Sequence, residues 1–112
     1  MAFTTATVTN VAQGAKMFQG AFTELWLANL TVNPASIAAA AEDTATFTIP
    51  NVALGDMILG VSAGVDLTID ADVNVFVSAA NTITIRINNH HASVALDLAT
   101  STWKVIIGRP SW

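Results

Sequence analysis

The chain has 112 residues, of which 53% are hydrophobic and 11% charged, with a net charge of −4 and no cysteine. That length holds a single core, which excludes two independent domains, and the apolar content excludes a disordered polar chain. A domain of this size hides only about two-thirds of its unfolded surface, so the composition predicts an oligomer or larger assembly that covers apolar area left over.

Charge narrows the reading further. The four basic residues, Lys16, Arg86, Lys104 and Arg109, stand singly along the chain. No concentrated basic face can be built from them to displace counterions from nucleic acid or to grip an anionic membrane. Without cysteine there is no disulfide, thiolate nucleophile or zinc-thiolate site. The opening MAFTTATVTNVAQGAK lacks the basic and apolar regions of a secretory leader, and no stretch approaches the roughly 20 apolar residues of a membrane span. The expectation is a soluble protein made inside a cell, with neither nucleic acid nor membrane as partner.

In chain order, residues 1–22, rich in Thr and Ala, read as an N-terminal arm, and 23–112 as the folded domain. Within 12–23, Phe18 and Phe22 have helical spacing, but two glycines interrupt it. Leu25 to Val32 is a strand closed by Asn33-Pro34. Ile37 to Asp43 contains four alanines but is too short for an independent helix, so extended or loop structure is expected. Thr44 to Pro50 is a strand with Phe47 and Ile49 inward, ended by the proline. A loop over Asn51–Gly55 leads to a short apolar strand, Met57 to Val61.

The clearest alternation runs from Val65 to Ser78, with Val65, Leu67, Ile69, Ala71, Val73, Val75 and Val77 on one face. Thirteen or so residues is long for one strand, so a bend or bulge is expected near Ala71-Asp72. Phe76 is the large apolar residue on the wet face. A turn with Asn81 in the left-handed conformation leads into Ile83, Ile85 and Ile87 on one face of the next strand. Asn88 to His91 reads as a polar loop, Val94 to Leu98 as another strand, and Trp103 to Ile107 as the last. Seven or eight short strands with frequent turns predict an all-β, antiparallel β-sandwich or jelly-roll-like fold with an extended N-terminal arm.

Patterns that carry chemistry are weak. Asp70, Asp72 and Asn74 begin like a calcium loop, but Val75 stands where the turn glycine is required and Asn81 where the glutamate is. His90 and His91 are adjacent, so in an extended segment they point to opposite sides and do not chelate one metal. There is no G-x-S-x-G elbow and no glycine-rich phosphate loop, and nothing marks any pair of Glu24, Asp56, Asp66 and Asp97 as catalytic. The reading is a non-enzyme without catalytic residues, metal or cofactor. Trp26 and Trp103 belong to strands and to the core. Trp112, at the end of the sequence, and Phe3, near its start, are the candidate interface residues together with Phe76.

The stretch from Val32 to Ile107 has a further order of features: Asn33-Pro-Ala-Ser-Ile-Ala38, Thr44-Ala-Thr-Phe-Thr-Ile-Pro50, Leu54-Gly-Asp-Met-Ile-Leu-Gly-Val-Ser62, Val77-Ser-Ala-Ala-Asn-Thr-Ile-Thr-Ile-Arg-Ile-Asn88 and Leu96-Asp-Leu-Ala-Thr-Ser-Thr-Trp-Lys-Val105. It resembles a small β-sandwich module of head decoration, or cement, proteins in tailed bacteriophages, notably marine and cyanobacterial ones. Asn51 departs from the glycine or alanine usual after the proline, which touches loop geometry only. The resemblance implies a virion protein on the capsid surface, assembled in the host cytoplasm. It would form a homo-oligomer, a trimer above all, and clamp neighbouring major capsid proteins. Two alternatives stand beside it: a tail, fibre or baseplate component built on the same module, and a ligand- or carbohydrate-binding β-sandwich.

Overall fold

A computed structural model describes residues 6–11, as backbone, and residues 20–112. Seven strands form: β1 (Ala6–Val11), β2 (Phe22–Val32), β3 (Glu42–Thr48), β4 (Met57–Ser62), β5 (Ala71–Ala79), β6 (Thr82–Asn89) and β7 (Ser101–Pro110). They lie in a four-stranded sheet of order β1-β2-β7-β4 and a three-stranded sheet of order β3-β6-β5, every pairing antiparallel. The chain changes sheet at each step from β2 to β5, turns back through the β5–β6 hairpin, and returns with β7 between β2 and β4. This is an all-β, antiparallel β-sandwich, as the strand pattern of the sequence predicts. Part of the expected arm, Ala6–Val11, is an edge strand against β2 of the same chain; residues 1–5 and 12–19 lie outside the described residues.

Side-chain alternation builds the core. Trp26, Ala28, Leu30 and Val32 of β2 and Trp103, Val105 and Ile107 of β7 face Ala45 and Phe47 of β3 and Ile83, Ile85 and Ile87 of β6. Ile49, just past β3, joins them, and Val73, Val75 and Val77 of β5 close one side. Each fully buried isoleucine or leucine here contributes roughly 1.5–3 kcal/mol of transfer free energy.

Four expectations are corrected. The long alternating strand begins at Ala71, not Val65, because the Asp66 carboxylate accepts the Thr68 N–H (3.0 Å) and Thr68 turns left-handed (φ 61°). Residues 65–70 are therefore a loop, and Ile69 projects from it fully exposed. The irregularity expected at Ala71-Asp72 lies instead between Val77 and Ala79, where the hairpin begins to turn. The polar segment from Asn88 is not a loop from its start: β6 runs through Asn89, whose amide is buried (2% exposed). Val94 to Leu98 forms no strand beyond one bridge between Ile37 and Leu96, although Leu96 and Leu98 are buried. The hairpin itself is as expected, with Asn81 left-handed at φ 61°.

The loop after β4 passes so close to β7 that a Cβ on Gly64 would lie 2.3 Å from the Thr102 carbonyl oxygen and 3.0 Å from Ser101 Cβ. A backbone carbonyl in a paired strand yields poorly, so Gly64→Ala is expected to cost about 1–3 kcal/mol. Gly60→Ala, with nothing within 4 Å of its added carbon, is the control. Urea denaturation of the two variants checks the difference.

Candidate functional site

The two ends of the sandwich, where the chain crosses between sheets, are each closed by a polar hub. At one end Arg109 follows Trp103, Val105 and Ile107 in the inward register of β7. Its guanidinium forms a two-pronged pair with Asp56 (Nε to Oδ1 3.0 Å, Nη2 to Oδ2 2.9 Å). It also donates to the Asn51 carbonyl (2.7 Å), approaches Glu24 Oε2 (3.4 Å) and lies 5.1 Å from the centre of the Trp26 ring. The Asp56 side chain is only 4% exposed and also accepts the Ala53 N–H. The bond to Asp56 holds the Arg109 pKa above its ordinary value, and nearby Glu24 adds to the effect. Asn81 fastens the same loop from the other sheet by accepting the Asn51 N–H (2.8 Å) on its side chain.

At the opposite end the buried Asn89 amide donates to the carbonyls of Val94 (2.9 Å), Ile37 (3.1 Å) and Ala38 (3.3 Å), and its oxygen accepts the His91 N–H. Two irregular crossings thus satisfy their backbone on one side chain. The adjacent histidines diverge, as expected. His90 Nε2 pairs with Asp72 Oδ2, while His91 Nδ1 accepts the N–H groups of Ser93 and Val94.

The outer surfaces differ sharply. On the three-stranded sheet the outward residues are Glu42, Thr44, Thr46, Thr84, Arg86, Asn88, Asp72 and Asn74, with Phe76 among them. Arg86 lies 5.3 Å over the Phe76 ring and 3.1 Å from Glu42. Phe76 is thus half-covered by a cation on a polar face. The four-stranded sheet instead carries Leu27 and Ile106 directly opposite each other, and Met57 and Gly108 opposite each other. Gly108 leaves room for the Phe22 and Leu59 side chains to lie over β7. Trp112 continues this apolar track: its ring packs 5.9 Å from Phe22, yet the residue is 78% exposed. Exposed Leu54 stands on the crossing loop at the same end. Of the three interface candidates, Trp112 therefore lies on the apolar side, Phe76 on the polar side, and Phe3 outside the described residues.

Among the described residues no three histidine, aspartate or glutamate side chains gather as a metal site, and no helix is long and apolar enough to cross a membrane. Asp72 and Asn74 face outward on β5 and Asp70 belongs to the preceding turn. Of the four loose carboxylates, Glu24 and Asp56 do meet, around Arg109. Sequence reading missed Arg109 and Asn89, although both continue the inward register of their strands. It also missed the apolar outer face, whose signal is Leu25-Trp26-Leu27 and Val105-Ile106-Ile107, runs apolar on both sides. No family model, curated protein or solved structure matches the chain.

Replacing Arg109 by Met would leave Asp56 buried without its cation and is expected to cost about 1.5–3 kcal/mol in urea denaturation. Asp72 has its pKa lowered from 3.8, first by the Asn88 hydrogen bond and then by His90. A depressed carboxyl stabilises the fold fully above that ordinary value and ceases to as pH falls through its folded-state pKa. In an NMR titration the Asp72 midpoint should lie below 3.8, and Asn88→Ala and His90→Ala should each raise it.

Proposed function

We propose that this chain is a non-enzymatic structural protein of a virus particle, a head decoration protein that binds the outer surface of a phage capsid and bridges neighbouring major capsid proteins. The observation that carries the reading is the unequal surface of the sandwich. One outer face is polar and internally paired, and the other, with the adjoining end, exposes Leu27, Leu54, Met57, Ile106 and Trp112. Scattered exposed apolar residues are ordinary, but several on one side of a small domain mark a surface that another protein covers. The sequence resemblance supplies the kind of partner, and the sandwich supplies the expected scaffold.

In this reading the end bearing Leu54, Met57 and Trp112 meets the shell. The Arg109–Asp56 pair holds the loop beneath Leu54 in place, so the apolar side chains are presented without an ordering cost at binding. A protein that binds only the assembled shell stabilises it by mass action, to an extent set by affinity and concentration. No bound cofactor and no chemistry are required.

The decisive measurement is the copy number of the chain in purified particles relative to the major coat protein. Comparable numbers are expected. A handful of copies would move the protein to a tail, fibre or vertex, and absence from particles would overturn the virion reading and favour a ligand-binding sandwich. On isolated shells, Trp112→Ala combined with Leu54→Ser should weaken binding at least about tenfold, the scale of a lost aromatic anchor, while the sandwich stays folded.

A further inference from the structure

Two features at a distance from that end fit each other. The first is the loop between β4 and β5, Asp66-Leu67-Thr68-Ile69-Asp70. Ile69 is 99% exposed, the largest value for any bulky apolar side chain among the described residues. The loop that carries it is held, not loose: the Asp66 carboxylate accepts the Thr68 N–H, and the Asp70 carbonyl accepts the His90 N–H at 2.8 Å. Thr68 adopts φ 61°, a left-handed conformation that is costly for a β-branched residue. Strain of this kind persists only where the surroundings fix it, and here the result is an isoleucine standing in water between two aspartates.

The second feature is a shallow groove on the outer face of the four-stranded sheet, between β2 and β7, lined by Leu27, Asn29, Lys104 and Ile106. Leu27 pairs with Ile106 and Asn29 with Lys104 in the strand register. The groove thus has an apolar half and a half bearing one cation. Lys104 Nζ donates to Asn29 Oδ1 at 3.0 Å and has no carboxylate partner among the described residues.

We infer that the groove receives the 66–70 loop of a second copy of this chain, with Ile69 seated against the Leu27–Ile106 pair on its Asn29–Lys104 side and Asp70 of the loop paired with Lys104. The match is of shape, polarity and charge: a protruding aliphatic side chain flanked by acids meets an aliphatic cleft flanked by an amine. Knob and groove lie on different parts of one protomer, so the contact is heterologous. It propagates from copy to copy and ends only when the copies close into a ring. A three-membered ring, the oligomer expected from the family resemblance, is one such closure. The end bearing Leu54 and Trp112 remains free in this arrangement, so self-association and shell binding use separate surfaces.

Sedimentation velocity of the full chain up to about 1 mM, where even weak contacts populate, tests the inference. The natural sequence should associate with rising concentration. Ile69→Ser, which removes the knob, and Ile106→Lys, which blocks the groove, should each be monomeric with unchanged circular dichroism. Because each variant keeps the surface the other lacks, an equimolar mixture should form a one-to-one dimer and nothing larger. Lys104→Glu should weaken association, and adding Asp70→Lys, which leaves the Asp66 bond to the Thr68 N–H in place, should recover it. A monomeric natural chain at the highest concentration, association by Ile69→Ser equal to that of the natural chain, or a mixture that stays monomeric would each overturn it. Self-association is read on the isolated protein, so its outcome is independent of copy number in particles.

Discussion

Asp56 is the constraint around which one end of the molecule is arranged. A carboxylate with 4% of its side chain exposed requires a cation and further donors, or its desolvation would outweigh the fold's marginal stability. Arg109 supplies the cation, Ala53 an N–H, and the Trp26 ring the flat surface on which the guanidinium rests. Those contacts join β2, β7 and the loop that carries the chain from β3 to β4. Trp26 adds a bond of its own, from its indole N–H to the Pro50 carbonyl at 3.1 Å. The crossing is therefore fixed in place, and with it the apolar side chains that project from that end.

Asn89 does the corresponding work at the far end with an uncharged group. Its amide satisfies carbonyls from two separate crossings, where isolated backbone groups would otherwise be buried without partners. An arginine suits the end whose loop carries an acid; a neutral amide suits the end whose loops offer mostly carbonyl oxygens. Between the hubs the interior is aliphatic and tryptophan-lined, and it needs no polar assistance.

Strands with one wet face were legible from alternation alone: β3, β6 and the second half of the long run at 65–78 carry their inward residues where the pattern puts them. The pattern failed at Ile69 because period-two alternation continues through a turn as readily as through a strand. The deciding event, an aspartate side chain capturing the Thr68 N–H, leaves no periodic trace. It also failed at Val94 to Leu98, where two inward side chains suffice to anchor an otherwise exposed loop that pairs with nothing for most of its length. The hubs were hidden for a different reason. An arginine and an asparagine at inward positions look like strand ends until the loops that embrace them are known. The apolar outer face was present in β2 and β7 as consecutive hydrophobic residues, a pattern that states burial on both sides without naming what lies on the second.

The strand order has a consequence for how the molecule comes into being. β2 and β7, near opposite ends of the chain, are adjacent in the larger sheet, and Asn29 and Lys104, bonded across that pair, are 75 residues apart. The sheet therefore cannot close until β7 has been made; the hairpin of β5 and β6 can form early, but its cover must wait for that strand. Folding of such non-local topologies is slow because loop entropy is spent before the contacts that offset it appear. Until β7 arrives, Trp26, Leu30 and the isoleucines of β6 have no shared interior, and the chain depends on its few charges to remain apart from its neighbours.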